Sequence, residues 1–203
     1  MISTLVGHWV RLRLQRIGLV LARTNLSPNA FTVLGLLLNL VVAVVIGTGN
    51  LVAGGILALV AGAFDMLDGA VARVTNRITR FGGFLDSTLD RYSEAVVYGG
   101  LLVYLLRSQA GDLALLLLYA TVVGSLMVSY ARARAEAAGL KAEVGFFARP
   151  ERVILLAVCL IAGRPVWALG ILALLTNVTT LQRILHVWQA TRGDEPRHNP
   201  PLS

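Results

Sequence analysis

The chain has 203 residues, of which 56% are hydrophobic and only 14% are charged. Soluble domains carry about 25% charged residues, so this composition excludes a water-soluble globule, a disordered chain and a coiled coil. The net charge is +7, which in so apolar a chain indicates membrane topology and contact with lipid headgroups rather than nucleic acid. We predict an all-α integral membrane protein, because backbone polar groups in lipid must be satisfied within each helix.

The two ends of the chain differ in composition from its middle. Residues 1–25 mix arginines with apolar side chains and lack the uninterrupted apolar core of a signal peptide, which favours an interfacial helix on the membrane surface. Residues 26–190 form the predicted transmembrane domain. Residues 191–203 are polar and proline-rich, which predicts a disordered tail.

The middle of the chain contains six apolar segments. A membrane-spanning helix needs about 20 residues, and the predicted spans are 28–47, 51–73, 83–106, 113–136, 150–162 and 165–188. Ser27 is a predicted N-cap and Pro28 suits the first helical position. The last two spans are separated by the turn-forming residues 163–165, and the alternative is one long kinked helix.

The basic residues support this topology. With a cytoplasmic N-terminus, 16 of the 18 basic residues fall on the inner side, and only Arg107 and Arg164 fall outside. Because cytoplasmic loops carry an excess of Lys and Arg, we expect six spans with both termini in the cytoplasm.

The acidic residues gather in the cytoplasmic halves of two consecutive spans. Asp65 and Asp68 lie near the inner end of the second span, while Asp86, Asp90 and Glu94 lie near the inner start of the third. Spacings of three and four residues place each aspartate pair on one helix face. Carboxylates inside a membrane are costly and by default indicate a functional site.

Four clustered carboxylates require neutralisation. Two unit charges at 4 Å repel by about 4 kcal/mol at an effective dielectric near 20, and divalent cations relieve that repulsion. Oxygen ligands select Mg²⁺, Ca²⁺ or Mn²⁺, and two such ions can clamp a phosphoryl group. Gly69 and Gly82 allow a ligand to approach closely, and Arg73 indicates that the ligand carries phosphate.

These residues match a known pattern. The motif Asp65-x2-Asp68-Gly69-x2-Ala72-Arg73-x8-Gly82-x3-Asp86-x3-Asp90 resembles the signature of the CDP-alcohol phosphatidyltransferase family at all eight fixed positions. Members transfer a phosphatidyl or similar group from a CDP-alcohol to an acceptor hydroxyl and release CMP. The resemblance also implies a homodimer.

The resemblance implies a role for each matching position. Asp65, Asp68, Asp86 and Asp90 would hold two Mg²⁺ ions, with Mn²⁺ as the other possible metal, and Asp90 would also be the general base. The residues implied in binding the CDP-lipid are Asn29, Thr32, Gly69, Ala72, Arg73, Thr79 and Gly82.

Three further segments indicate the acceptor. Residues 129–136, 146–152 and 182–188 resemble the phosphatidylinositol phosphate synthase branch, which uses inositol 1-phosphate. By position, Arg132, Arg152 and Arg183 would bind the acceptor phosphate. The donor would be CDP-diacylglycerol (CDP-DAG) or a related CDP-lipid, and glycerol 3-phosphate is the alternative acceptor. The active site would face the cytoplasm in the cell membrane, among membrane lipids.

Two other classes of function are alternatives to a transferase. A cation transporter would also carry intramembrane carboxylates, but it needs polar groups through the outer half, and residues 51–64 and 95–106 are almost purely apolar. A lipid-binding scaffold has no reason to cluster four carboxylates. Neither a cation transporter nor a lipid-binding scaffold would release CMP.

Overall fold

The computed structural model describes residues 27–75, 78–140, 144–145 and 147–192, with Asp68 and Ala70 described by their backbone alone. These residues form an all-α fold without strands. Its helices are α1 (Pro28–Gly47), α2 (Leu51–Val74), α3 (Arg80–Arg107), α4 (Asp112–Ala137), α5 (Arg149–Ile161) and α6 (Pro165–Thr191). The predicted interfacial helix at 1–25 and residues 193–203 of the predicted tail lie outside the described residues, whereas Thr191, the first residue of that predicted tail, belongs to α6.

Local sequence signals fix where the helices begin. The Ser27 side chain accepts a hydrogen bond from the backbone N–H of Ala30, and Pro28 occupies the first turn of α1, as predicted. The Thr79 hydroxyl accepts from the N–H of Gly82, so α3 begins at Arg80, three residues before the predicted start. The Thr79 cap explains why α3 begins earlier than predicted, because a hydropathy pattern places the start of a span after a charged residue such as Arg80.

The break between the last two predicted spans is confirmed. Helix α5 ends at Ile161, and Gly163 adopts a positive φ of 69° before α6 begins at Pro165. Gly163 and Pro165 together form a helix stop and a helix start. The alternative of one kinked helix is therefore wrong.

Four of the described helices are long and apolar enough to cross a membrane, namely α1, α2, α4 and α6. The other two differ for identifiable reasons. Helix α3 is long enough, but its first half carries Asp86, Asp90, Arg91 and Glu94, and α5 has only 13 residues. The sequence pattern located six helices, and four of them meet the length and composition of a membrane span.

The helices pack in a ring. Going around it, α1 contacts α2, α2 contacts α5, α5 contacts α6, α6 contacts α4, α4 contacts α3, and α3 returns to α1. Although α2 and α3 follow each other in the chain and carry the aspartate pairs, none of their described residues have Cα atoms within 8 Å of each other. Helices that follow each other in the chain often pack together, but these two are not direct neighbours, because each packs against α1 instead.

The apolar core lies at one end of the ring. It contains Val42, Ile46 and Ala58, together with Leu101, Leu105, Leu118, Leu160, Leu169 and Leu172, all of them buried. These residues come from the ends of α1, α3 and α5 and from the beginnings of α2, α4 and α6. Apart from Arg107, Asp112 and Arg164, the charged residues that the structure describes lie at the opposite end, which we call the charged half.

One glycine sets the approach of α1 to α3. A Cβ atom on Gly100 would collide with the backbone of Ala43, whereas a Cβ on the exposed neighbour Gly99 would meet nothing within 4 Å. Because overpacking costs about 1–3 kcal/mol, we expect Gly100→Ala to lower the thermal unfolding midpoint of the detergent-solubilised protein. Gly99→Ala is the matched control and should leave that midpoint unchanged or slightly higher. Equal midpoints for the two variants would contradict this close packing.

Candidate active site

Two of the predicted metal-binding carboxylates converge on a single cation. An Nη2–Oδ2 ion pair of 2.6 Å links Arg149 on α5 to Asp65 on α2, and an Nη1–Oδ1 ion pair of 2.7 Å links Arg149 to Asp90 on α3. All three side chains are at most 25% exposed. Charge-assisted hydrogen bonds of this length are the strong ones in proteins. The point where Asp65 and Asp90 converge is therefore suited to hold positive charge.

The other two predicted carboxylates are described to different extents. Asp86 lies one turn before Asp90 on α3. Asp68 lies on α2 one turn after Asp65, and its side chain is outside the described residues.

The chemistry of the described donors suits a hard cation. Among described side chains, no group of three or more acidic, histidine or cysteine residues is arranged around one point as in a metal site. At Asp65 and Asp90 the space between the two carboxylates is taken by the Arg149 guanidinium. Carboxylate oxygens that share one cationic partner fit a divalent ion such as Mg²⁺ or Mn²⁺, provided that Arg149 withdraws.

A first cavity of about 180 Å³ lies where α1 and α3 begin, and we call it the helix-start cavity. Its lining includes every residue implied in CDP-lipid binding: Asn29, Thr32, Gly69, Ala72, Arg73, Thr79 and Gly82. Asp86 also lines it. Residues from the beginnings of α1 and α3 and from the end of α2 thus meet in one place.

The local geometry of this cavity depends on small side chains. A Cβ atom on Gly82 would lie 2.9 Å from Thr79 Oγ1 and 3.2 Å from Asn29 Oδ1, so only glycine lets the starts of α1 and α3 approach this closely. A Cβ on Gly69 would lie 3.4 Å from Nη1 of Arg73, whose guanidinium therefore covers that glycine. The starts of two helices, where backbone N–H groups favour anions, face the same space as a guanidinium.

A second, larger cavity of about 850 Å³ adjoins the first, and we call it the arginine cavity. Asp86 lines both cavities, and Asp90 lines the second. The three arginines implied in acceptor binding, Arg132, Arg152 and Arg183, all line the arginine cavity. They come from α4, α5 and α6, so residues far apart in sequence share one wall.

Each of these arginines is held by a different kind of partner. Arg183 is 6% exposed and donates to the backbone carbonyls of Val128 and, at 3.0 Å, Val144. Arg132 is about half exposed and pairs with Glu136 at 2.7 Å. Arg152 is 2% exposed and pairs with Glu94 on α3. The three arginines therefore differ in exposure and in partner, and the cavity that they share is lined by five arginines and four carboxylates.

Sequence reasoning missed two residues of this site. It treated Arg149 as one more inner-side basic residue, and it gave Glu94 no role. The Glu94 signal was available, because Glu94 follows Asp90 by four residues and shares its helix face. Arg149 lies in the 146–152 segment, but no local pattern indicated its partners, since Asp65 and Asp90 lie 84 and 59 positions away in sequence.

The sequence is similar to those of known proteins. The chain is 35% identical over 176 residues to the archaetidylinositol phosphate synthase of Pyrococcus horikoshii, a match that covers 86% of this chain and 90% of that protein. It is 36% identical to the phosphatidylinositol phosphate synthase of Mycobacterium marinum, over 83% of this chain and 76% of that protein.

Solved structures show the same fold. The crystal structure of the Mycobacterium tuberculosis phosphatidylinositol phosphate synthase with CDP-DAG bound has a TM-score of 0.80 and 31% sequence identity, and it covers 94% of this chain and 98% of that chain. A complex of the same protein with manganese and citrate has a TM-score of 0.78. The family profile described as CDP-alcohol phosphatidyltransferase matches residues 25–189. The chain therefore belongs to the CDP-alcohol phosphatidyltransferase family of enzymes.

Proposed function

We propose that the protein transfers a phosphatidyl group from CDP-diacylglycerol, or a related CDP-lipid, to a hydroxyl of inositol 1-phosphate. The products are CMP and phosphatidylinositol phosphate. One observation carries the proposal: the helix-start cavity and the arginine cavity adjoin at Asp86. The first is lined by the implied donor residues and the second by three arginines, so a nucleotide donor and a phosphorylated acceptor would meet at the aspartates.

The donor half of the proposal rests on anion binding. The donor's pyrophosphate is anionic, and the helix-start cavity offers it the starts of two helices and the Arg73 guanidinium. A relative whose crystal structure was solved with CDP-DAG bound supports a CDP-lipid as the donor. Exposed apolar side chains on α1, including Leu37, Val41 and Val44, give the fatty tails an apolar surface beside the site.

The metal half of the proposal follows from the carboxylates. We propose that Asp65, Asp68, Asp86 and Asp90 hold two divalent ions, Mg²⁺ or Mn²⁺, and a relative solved with manganese supports the class of metal. Bound there, the ions would neutralise charge on the transferring phosphoryl group and the departing CMP. Arg149 would then have to release Asp65 and Asp90.

The chemical step needs one proton acceptor. The acceptor hydroxyl oxygen forms a bond to the β-phosphorus of the donor, the bond from that phosphorus to the CMP oxygen breaks, and the hydroxyl proton passes to Asp90. Asp90 lines the cavity proposed for the acceptor, which is the position a general base requires. Glycerol 3-phosphate carries the same phosphate and is the alternative acceptor.

We also propose the topology expected from the sequence. In it, all six helices lie in the cell membrane with both termini and the charged half on the cytoplasmic side, and the protein is a homodimer. The clustering of basic side chains in the charged half supports this orientation. Accessibility of single engineered cysteines in intact cells would test it, and a charged half labelled from outside would contradict it.

The test of function is direct. Purified protein is incubated with CDP-diacylglycerol, Mg²⁺ and, separately, inositol 1-phosphate, glycerol 3-phosphate, inositol or serine, and CMP release is measured. We expect fast release with inositol 1-phosphate, much slower release with the others, and loss of activity in excess chelator that added Mg²⁺ or Mn²⁺ restores. Faster CMP release with glycerol 3-phosphate would show that glycerol 3-phosphate is the acceptor. Equal activity in excess chelator would refute the proposed metal requirement.

A further inference from the structure

The carboxylate of Glu94 pairs with one of the three cavity arginines, and both residues line the arginine cavity. Glu94 Oε1 accepts from Nε of Arg152 at 2.7 Å, and Oε2 accepts from Nη2 at 2.9 Å. The Arg152 side chain is 2% exposed and the Glu94 side chain 11% exposed. Both charges are therefore largely removed from water, in a two-point pairing that fixes the plane of the guanidinium.

This pairing determines which part of Arg152 a ligand can use. Glu94 occupies the Nε–Nη2 edge, so the N–H groups left for a partner in the arginine cavity are the two on Nη1 and the second one on Nη2. Without Glu94 the long side chain would turn among several rotamers, and ordering it again on ligand binding would cost entropy. A prealigned guanidinium binds a phosphate without that cost.

Glu94 is itself held in place. The Tyr98 hydroxyl, one turn along α3, donates to Glu94 Oε1 at 3.2 Å and lies 3.4 Å from Ser125 Oγ on α4. Tyr98 and Ser125 are 3% and 2% exposed. The chain of contacts thus links α4 and α3 to Arg152 on α5, at a level where α3 and α5 make no backbone contact.

A purely structural role does not account for this network. A buried ion pair adds little to stability over well-packed apolar side chains of similar volume, because both charges lose their hydration. Among the described ion pairs that line the arginine cavity, the Glu94–Arg152 pair is the most deeply buried, since the Arg149–Asp90 pair is 25% and 20% exposed and the Arg132–Glu136 pair is about half exposed. That placement favours a role in ligand binding.

We propose that Glu94, supported by Tyr98, is a positioning residue that orients Arg152 toward the phosphate of the acceptor. The inference rests on the proposed function and deepens it, since it names what makes the arginine cavity selective for a phosphomonoester. Glu94 does not touch the reacting atoms. It acts through Arg152 alone, so its removal should affect acceptor binding and little else.

The test separates this role from general structural damage. Glu94→Gln should raise the acceptor KM by about 10- to 100-fold, the range for one charge-assisted contact, while kcat and the donor KM change by less than about 3-fold. Glu94→Asp should recover part of the loss. Glu151→Gln is the matched control, since Glu151 is the exposed neighbour of Arg152 in the first turn of α5, and its acceptor KM should not change.

A double-mutant comparison shows whether Glu94 acts through Arg152. In an Arg152→Ala background, adding Glu94→Gln should raise the acceptor KM no further. Additive effects would show that Glu94 meets the acceptor itself, and equal losses in kcat and both KM values would show general damage. Either result overturns the proposal.

A milder variant keeps the test open if Glu94→Gln does not fold. Tyr98→Phe leaves the ion pair in place and removes only its support, and it should raise the acceptor KM several-fold at unchanged donor KM. An unchanged acceptor KM would refute the proposal. Wild-type protein that releases no CMP with any phosphorylated acceptor would instead refute the proposed function, so the two failures are distinguishable.

Discussion

Replacing Asp90 with asparagine should abolish CMP release while the protein stays folded. Asparagine keeps the size of the side chain but cannot accept the hydroxyl proton, and it removes one charge from the cation-binding position shared with Asp65. Loss of a general base alone lowers kcat by about 100- to 10,000-fold. Initial rates at saturating donor, acceptor and Mg²⁺ measure the effect.

The control for Asp90→Asn is Asp112→Asn. Asp112 is an exposed carboxylate in the first turn of α4, at the apolar end of the ring, and the variant should retain wild-type rates. Thermal unfolding in detergent checks that both proteins are folded. An Asp90→Asn protein with near-normal kcat would remove Asp90 as the base and as an essential metal ligand.

Arg152→Ala should have the second-largest effect, and it should fall on the acceptor. Truncating one member of a buried charge pair at a binding site costs about 2–5 kcal/mol, so we expect the acceptor KM to rise at least about 30-fold, with the donor KM nearly unchanged. The variant also leaves the Glu94 carboxylate buried without its partner, which costs about 3–5 kcal/mol of stability. Its unfolding midpoint should therefore fall.

Two controls accompany the Arg152→Ala prediction. Arg164→Ala removes an exposed arginine at the turn between α5 and α6, and it should change neither KM. Assays run well below the lowered unfolding midpoint keep the loss of stability apart from the loss of binding. A rise in both KM values together would contradict the assignment of Arg152 to the acceptor.

The positions of the helices were predictable because they depend on local chemistry. Ser27 and Pro28 signal the start of α1, and Gly163 and Pro165 separate α5 from α6. The aspartate pattern was equally local, since spacings of three and four residues settle which side chains share a face. These signals act within a turn or two of helix, which is the range that a single sequence reveals.

The partners of the site residues were not predictable, since they depend on how the helices pack. Hydropathy gives the length of a helix but not its neighbours, so nothing in the sequence showed that α1 separates α2 from α3. For the same reason Arg149 looked like an ordinary inner-side charge, although it bridges Asp65 and Asp90. Glu94 and Arg152 are 58 positions apart, and no short-range pattern links them.

The lack of direct packing between α2 and α3 leaves the spacing between Asp65 and Asp90 to other parts of the fold. Both helices pack against α1, and the Arg149 guanidinium bridges the two carboxylates. A change in α1 far from the reacting groups would therefore alter the separation of the two aspartates.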